Sequence, residues 1–255
     1  MEALRITDDT QMTLFTAEGL LRAAARWRDR GICNPAWIVY RAYVRWLHTQ
    51  GLHSKSEFDN DNDEGWLINA RELHHQRAPG ATCLSSLQSG VVGTIAAPIN
   101  TSKGCGGVMR VAPVGLLCRS PEGAFDLGCE VAALTHGHPS GYLAAGFLAC
   151  VIACIIESQA LEQAIRCAVY LLESKPQNKE CLDAVNHALR LAMSSNLSPG
   201  PRVVEQMGQG WVAEEALSIS LYCALVAQSD FKTGILLAIN HSGDSDSTGA
   251  IEGVN

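Results

Sequence analysis

No Cys-x-x-Cys pair occurs among the ten cysteines of this 255-residue chain, no stretch alternates strictly between apolar and polar residues, and basic residues are outnumbered, 19 against 26 acidic ones. Each shortage excludes something. The scattered cysteines show neither a disulfide framework nor the Cys/His spacing of a zinc site, and most fall among apolar residues at helical spacing, as buried reduced thiols do. We therefore expect a cytoplasmic protein. Without period-2 alternation there is no half-buried strand from which to build a sheet. The net charge of −7 leaves no basic footprint for sequence-independent nucleic-acid binding, though it leaves room for a single docked nucleotide. The longest apolar run, Tyr142 to Ile156, is short of the roughly 20 residues a membrane span needs, and the N-terminus lacks the charged-then-apolar order of a signal peptide. That run reads as a central helix buried on all sides, and no membrane partner is expected.

What the chain does have is helix signals in series. The first helix is expected from Asp9 to about Arg28, ending before Gly31. Asn34-Pro35 then supplies a cap and a first-turn proline, after which Trp37, Tyr40, Val44 and Leu47 recur at helical spacing. Thr82 is read as the cap of a short helix through Leu87. Three further helices are marked by Leu161/Ile165/Val169/Leu172, by Leu182/Val185/Leu189/Met193 and by Leu217/Leu221/Ala224/Leu225, with a Pro/Gly break at Ser198 to Pro201. From Gly90 to Gly107 the residues are too small and too broken for a core element, so this is a long functional loop. Helix after helix with short breaks predicts an all-α bundle, read as a single domain over 1–255.

Oxygen ligands gather at both ends. Near the C-terminus, His241-Ser242-Gly243-Asp244-Ser245-Asp246-Ser247-Thr248-Gly249 reads as a tight loop opening a helix, and near the N-terminus Thr7-Asp8-Asp9-Thr10 does the same. Taken alone, a D-x-D says only that Asp246 or Ser247 caps a helix. Two acidic helix mouths brought together would repel unless cations sat between them, so a shared binuclear site for hard ions is the economical reading. A third acidic run, Asp59 to Asp63, is not a calcium loop: its sixth position is Glu64 where glycine is needed and its twelfth is Ala70 where a glutamate is needed.

T-D-D-T-Q-M-T-L-F-T-A-E-G-L-L together with N-H-S-G-D-S-D-S-T-G-A-I strongly resembles the ADP-ribosylglycohydrolase family, which includes the dinitrogenase reductase activating glycohydrolase and the arginine-specific hydrolases. Gly104 to Pro113, Leu134 to Pro139 and Gly210 to Leu217 support it, so the resemblance covers nearly the whole chain. It implies a compact orthogonal all-α fold and hydrolysis of ADP-ribosyl side chains, arginine foremost, in the presence of two Mg²⁺ ions, with Mn²⁺ as a substitute. Carried over by motif, Thr7, Asp8, Asp9, Asp244, Asp246 and Ser247 would be metal ligands, with Asp8, Asp9 and Asp246 catalytic. Gly104, Cys105, Gly106, Gly107, Met109 and His138 would contact ADP-ribose or the ADP-ribosylated protein. Arg110 is open to pairing with a phosphate or with a buried carboxylate, and His241 is expected to pack or cap beside the metal loop.

Two departures accompany the resemblance. Family members carry, before T-D-D-T, a helix with a Gly-Asp signature and then a glutamate that reaches the site, whereas this chain starts six residues ahead of Thr7. It also stops at Asn255, inside the helix opened by the acidic loop. The expectation is a fold lacking the first helix and the end of the last, with an oligomer available to cover what this exposes. The competing reading is a catalytically weak ADP-ribose binder on the same scaffold.

Overall fold

In the computed structural model, which describes residues 6–57, 65–194 and 196–253, the described residues form twelve α-helices with short 3-10 turns and no strand. The acidic run Asp59 to Asp63 lies outside the described residues. Helix α1 (Asp8–Arg30) ends where Gly31 takes a left-handed φ of 68° and returns its N–H to Trp27 O, a stop that glycine makes without steric cost. Helix α2 (Pro35–Thr49) begins as its sequence signal predicts, with the Asn34 side chain accepting from the Trp37 N–H and proline in the first turn. Helix α3 (Ala81–Gln88) starts at Gly80 instead of Thr82; the Thr82 hydroxyl lies inside the helix and bonds to Ser102 Oγ at 3.1 Å.

The middle of the chain wraps the core. Helices α4 (Ala112–Leu117), α5 (Pro121–Ala133), α6 (Pro139–Ile156), α7 (Leu161–Glu173) and α8 (Lys179–Ala192) follow in order, then the short α9 (Pro201–Val204), α10 (Ala213–Ala227), α11 (Phe231–Ile239) and α12 (Ser245–Glu252). Helix α6 is apolar enough to cross a membrane by composition, yet 83% of it is buried among its neighbours, the central helix expected from the sequence. It can be approached so closely because small residues face one another. A Cβ at Gly146 would meet the Cys129 sulfur and lie 2.7 Å from Phe125 O, and the buried face of α5 is made of Ala124, Phe125, Gly128, Cys129, Val131, Ala132 and Ala133.

A buried ion pair ties the first two helices to the segment that follows them. Glu18 Oε2 accepts from Arg45 Nη2 at 2.6 Å and Nε at 3.1 Å, while Oε1 accepts from the Trp66 and Leu67 N–H groups at 2.7 and 2.9 Å. Both side chains are almost wholly out of water. The pair is well supplied with hydrogen bonds, so its desolvation is offset in place, and removing one partner leaves a charge stranded. We expect Glu18→Ala to lower the unfolding free energy by about 3–5 kcal/mol, and Gly146→Val by about 1–3 kcal/mol through overpacking. Urea denaturation of each variant checks both values.

Candidate active site

Chain ends that are far apart in sequence meet at one cavity of about 350 Å³, whose walls include Asp8, Asp9, Gly104, Cys105, Gly106, Met109, His136, Trp211, Asp244, Asp246 and Ser247. Two larger hollows, of about 520 and 600 Å³, are lined mainly by apolar side chains around Trp37 and Trp27 and gather no acidic cluster. Size therefore does not single out the site; the convergence of polar groups does.

Both acidic turns are tied to backbone from another part of the chain, through Asp8 and Asp244. The Asp8 N–H donates to Arg77 O at 2.9 Å, and Asp8 Oδ2 accepts from the Gly80 N–H at 3.1 Å. Just before that contact Ala78 adopts a left-handed φ of 56°, an uncommon conformation for a residue with a Cβ. At the other end, the Asp244 N–H donates to Gln209 O at 2.7 Å, and Asp244 Oδ1 caps α12 by accepting from the Ser247 N–H. The capping role expected for Asp246 or Ser247 thus belongs to Asp244. Asp246 is exposed at the cavity mouth, and the Ser247 hydroxyl lies 3.5 Å from Cys105 Sγ in the cavity wall. Thr7 stands at the N-cap of α1, but its side chain makes no capping bond.

His241 holds the loop as expected. Its Nδ1 accepts from the Gly243 N–H at 3.1 Å, so Nε2 carries the proton and donates to Thr248 Oγ1 at 2.9 Å. Thr248 Oγ1 in turn reaches Ala238 O and Asp244 O, at 2.7 and 3.0 Å.

The glycine segment is placed by a short antiparallel bridge between Gly104 and Val212, with the Cys105 N–H donating to Trp211 O and the Ala213 N–H to Lys103 O. This bridge carries the half-exposed Trp211 ring to the rim. A Cβ at Gly106 would lie 2.8 Å from His136 Cε1 and 2.9 Å from Cys83 Sγ, so only glycine leaves the wall open there. Gly107 is buried against Ala132 and Gly141 and does not face the cavity.

His138 is not among the lining residues. It caps α6 through Nδ1, which accepts from the Ser140 N–H at 3.2 Å. The histidine that faces the cavity is His136, two residues earlier, and the signal that separates them is long-range. Arg110, fully buried, donates from Nη2 to Thr135 Oγ1 at 2.6 Å, and Thr135 Oγ1 lies 2.8 Å from His136 Nδ1. With that oxygen already accepting from a guanidinium, its proton goes to Nδ1, which makes His136 the Nε2–H tautomer. Burial first, and then the Arg110 charge, hold the ring neutral, with its pKa down to about 3. Arg110 itself lies 4.3 Å above the Tyr43 ring and pairs with no carboxylate among the described residues, so the buried ion pair foreseen for it is not found there.

The electrostatics of the cavity are one-sided. Burial, then the neighbouring aspartates, push Asp9 up to about 8; burial likewise raises Asp8 and Asp244 to about 6. Asp9 Oδ2 is buried with no hydrogen-bond partner among the described residues. A sealed carboxylate oxygen facing three more carboxylates is a set of hard donors without a counter-charge, and it fits a divalent cation of the Mg²⁺ class. The donors ring a wide space: among the described residues only Cys150, Cys154 and Cys167, elsewhere in the fold, bring three such ligand atoms within 4.8 Å of one another.

The sequence model of the ADP-ribosylglycohydrolase family matches residues 2–254. The chain belongs to the ADP-ribosylglycohydrolase family. It is also similar to an uncharacterized protein of Archaeoglobus fulgidus, 28% identical over 193 residues, a match covering 74% of this chain and 59% of that protein. The chain thus spans about three fifths of the relative's length. The all-α architecture is that of the glycohydrolase family.

The raised carboxylate pKa values give a signed prediction for metal-free protein. A carboxyl group whose folded pKa lies above its unfolded value binds more protons in the folded state, so its contribution weakens as pH rises between the two values. With chelator present, the urea midpoint should fall as pH increases from about 4 to 8, the range set by Asp8, Asp9 and Asp244. Asp9→Asn removes the most strongly shifted member, so its midpoint at pH 8 should exceed that of the parent. A parent midpoint that instead climbs through this range counts against a repelling cluster.

Proposed function

We propose that the protein hydrolyses the glycosidic bond between ADP-ribose and a protein side chain, arginine being the foremost acceptor, with two Mg²⁺ ions held by Thr7, Asp8, Asp9, Asp244, Asp246 and Ser247. The observation that carries this reading is the buried Asp9 oxygen, unpartnered among carboxylates drawn from both ends of the chain. Bound there, the ions supply Lewis acidity towards the ribose hydroxyls and the attacking water. The rest is done by side chains and backbone of the chain itself.

Asp8 stays oriented because Gly80 holds one of its oxygens, which leaves the other directed by a fixed carboxylate plane. Gly104 and Gly106 keep the wall low enough for a diphosphate to pass close to backbone. His136 contributes an uncharged Nε2–H donor whose direction is set by Thr135 and Arg110, suited to a phosphate oxygen without adding a proton that could move. Trp211 offers a flat apolar face at the rim, the surface an adenine ring takes by stacking. An arginine leaving group brings guanidine N–H donors to a mouth where the exposed Asp246 can accept them. Mn²⁺ satisfies the same oxygen set and should replace Mg²⁺.

The decisive experiment follows ADP-ribose release from a peptide ADP-ribosylated on arginine, beside a serine-linked peptide, with Mg²⁺ and with chelator. Release from the arginine peptide should require the metal, and Asp9→Asn or Asp246→Asn should lower it by about 100-fold or more, as expected for loss of a positioned electrostatic element. Binding of ADP-ribose and Mg²⁺ by calorimetry without any release identifies a binder in place of an enzyme. Trp211→Ala should raise KM by about 5- to 100-fold with little change in kcat, the range for one lost stacking contact. Equal KM values for the two proteins remove the ring from the substrate site.

A further inference from the structure

Away from the acidic cavity, three sulfurs meet. Cys150 and Cys154 lie one turn apart on α6, so their side chains share a face, and that face packs on α7, which carries Cys167. The three Sγ atoms lie within 4.8 Å of one another. All ten cysteines are unbridged, and this is the one group among the described residues in which three potential ligand atoms come so close. Cys150 and Cys154 are fully buried, whereas Cys167 is partly exposed, which gives the cluster a route from solvent.

Cysteine often serves as a small apolar side chain, and the remaining buried thiols, Cys83, Cys129, Cys181 and Cys223, fit that description. Packing alone gives no reason for three sulfurs to converge from two helices. Soft sulfur donors select thiophilic ions over Mg²⁺ or Ca²⁺. Zinc takes four ligands in a structural site, and no fourth histidine, cysteine or carboxylate atom joins the group among the described residues. A d¹⁰ ion content with three sulfurs matches the number and softness of the donors that meet here.

We propose that Cys150, Cys154 and Cys167 form a binding site for one three-coordinate thiophilic cation, with Cu(I) the ion that fits. Binding replaces S–H by S–Cu bonds, and the displaced protons pass to solvent through the Cys167 side; no electron is transferred. Because the ligands come from α6 and α7, the ion also fastens those helices together.

The test is an anaerobic titration of the reduced full chain with Cu(I) supplied as its bathocuproine disulfonate complex. The parent should withdraw about one equivalent from the chelator, develop near-ultraviolet thiolate-to-copper absorption and release protons. Cys167→Ser, a change at a partly exposed position, and Cys154→Ser should each need about 100-fold more free Cu(I) for the same loading, at least the cost known for disturbing groups around a metal. Cys105→Ser and Cys223→Ser, lying outside the cluster, should titrate like the parent, with circular dichroism confirming that each variant is folded. No uptake by the parent overturns the proposal, as does parent-like uptake by Cys167→Ser.

Discussion

Four carboxylates pressed into one partly buried cavity are the constraint around which the molecule is arranged. Like charges that share a cavity less polar than water repel, and nothing local to either acidic turn relieves this. The fold overcomes it by holding the backbone on both sides. Asp8 is clamped by the Arg77 carbonyl and the Gly80 amide, and Asp244 by the Gln209 carbonyl and its own capping bond. These clamps come from segments at 77–80 and 209–212, neither of which carries the acids. The cavity therefore exists only once the two ends and the middle of the chain have closed on one another, and its empty form works against stability while its chemistry requires it. Such opposition between stability and site is characteristic of functional centres.

A second layer of polar groups lies under the acids and is built on the opposite sign. Arg110 is sealed from solvent, rests on the Tyr43 ring and pairs with no carboxylate among the described residues, yet it bonds Thr135 Oγ1 and the Cys83 sulfur, and Cys83 lines the acidic cavity. A lone buried guanidinium is expensive. Here its field opposes that of the aspartates, and it sets the tautomer of His136 through one intervening hydroxyl. Tyr43 is held in turn by Thr16 at 2.6 Å, so α1 and α2 contribute to the site from beneath as well as at its rim. The cost of burying the cation is thereby shared among groups that the cavity needs in any case.

Some of this was legible in the residues and some was not, for physical reasons. Asn34-Pro35 and Gly31 are local signals whose effect is complete within a turn, and the structure obeys them. Ser120-Pro121 is the same signal and opens α5, with the Ser120 hydroxyl accepting from the Gly123 N–H. It is easily passed over because α5 buries mostly alanine, glycine and cysteine, which leave no bulky periodicity to count. The meeting of Thr7-Asp8-Asp9 with Asp244-Ser245-Asp246 was suggested by the paired acidic helix mouths taken with a shared cation and with the family resemblance, since their charge alone predicts repulsion. The choice of His136 over His138 was not. Both sit in one Thr-His-Gly-His-Pro string, and only the packing of Arg110 and Thr135 turns the first inward while the following proline makes the second a cap.

The two kinds of donor chemistry in the chain are kept apart, and Cys105 shows how. Its thiol lies at the acidic cavity, 3.0 Å from Asp244 Oδ2. A thiolate there would add a soft ligand to a hard site and a further negative charge to a crowded one. Burial, and then the neighbouring Asp244, hold the sulfur protonated, so it acts as a donor to the carboxylate and as a neutral part of the wall. Among the described residues, the one place where three such sulfur atoms come together is the α6–α7 contact, and no carboxylate joins that group. Oxygen-rich and sulfur-rich groups thus occupy separate parts of one helical core, and the separation follows from which helices bring their small residues together: α6 meets α7 through its cysteines and α5 through its glycines, while its N-terminal cap, His138, is not among the residues lining the acidic cavity.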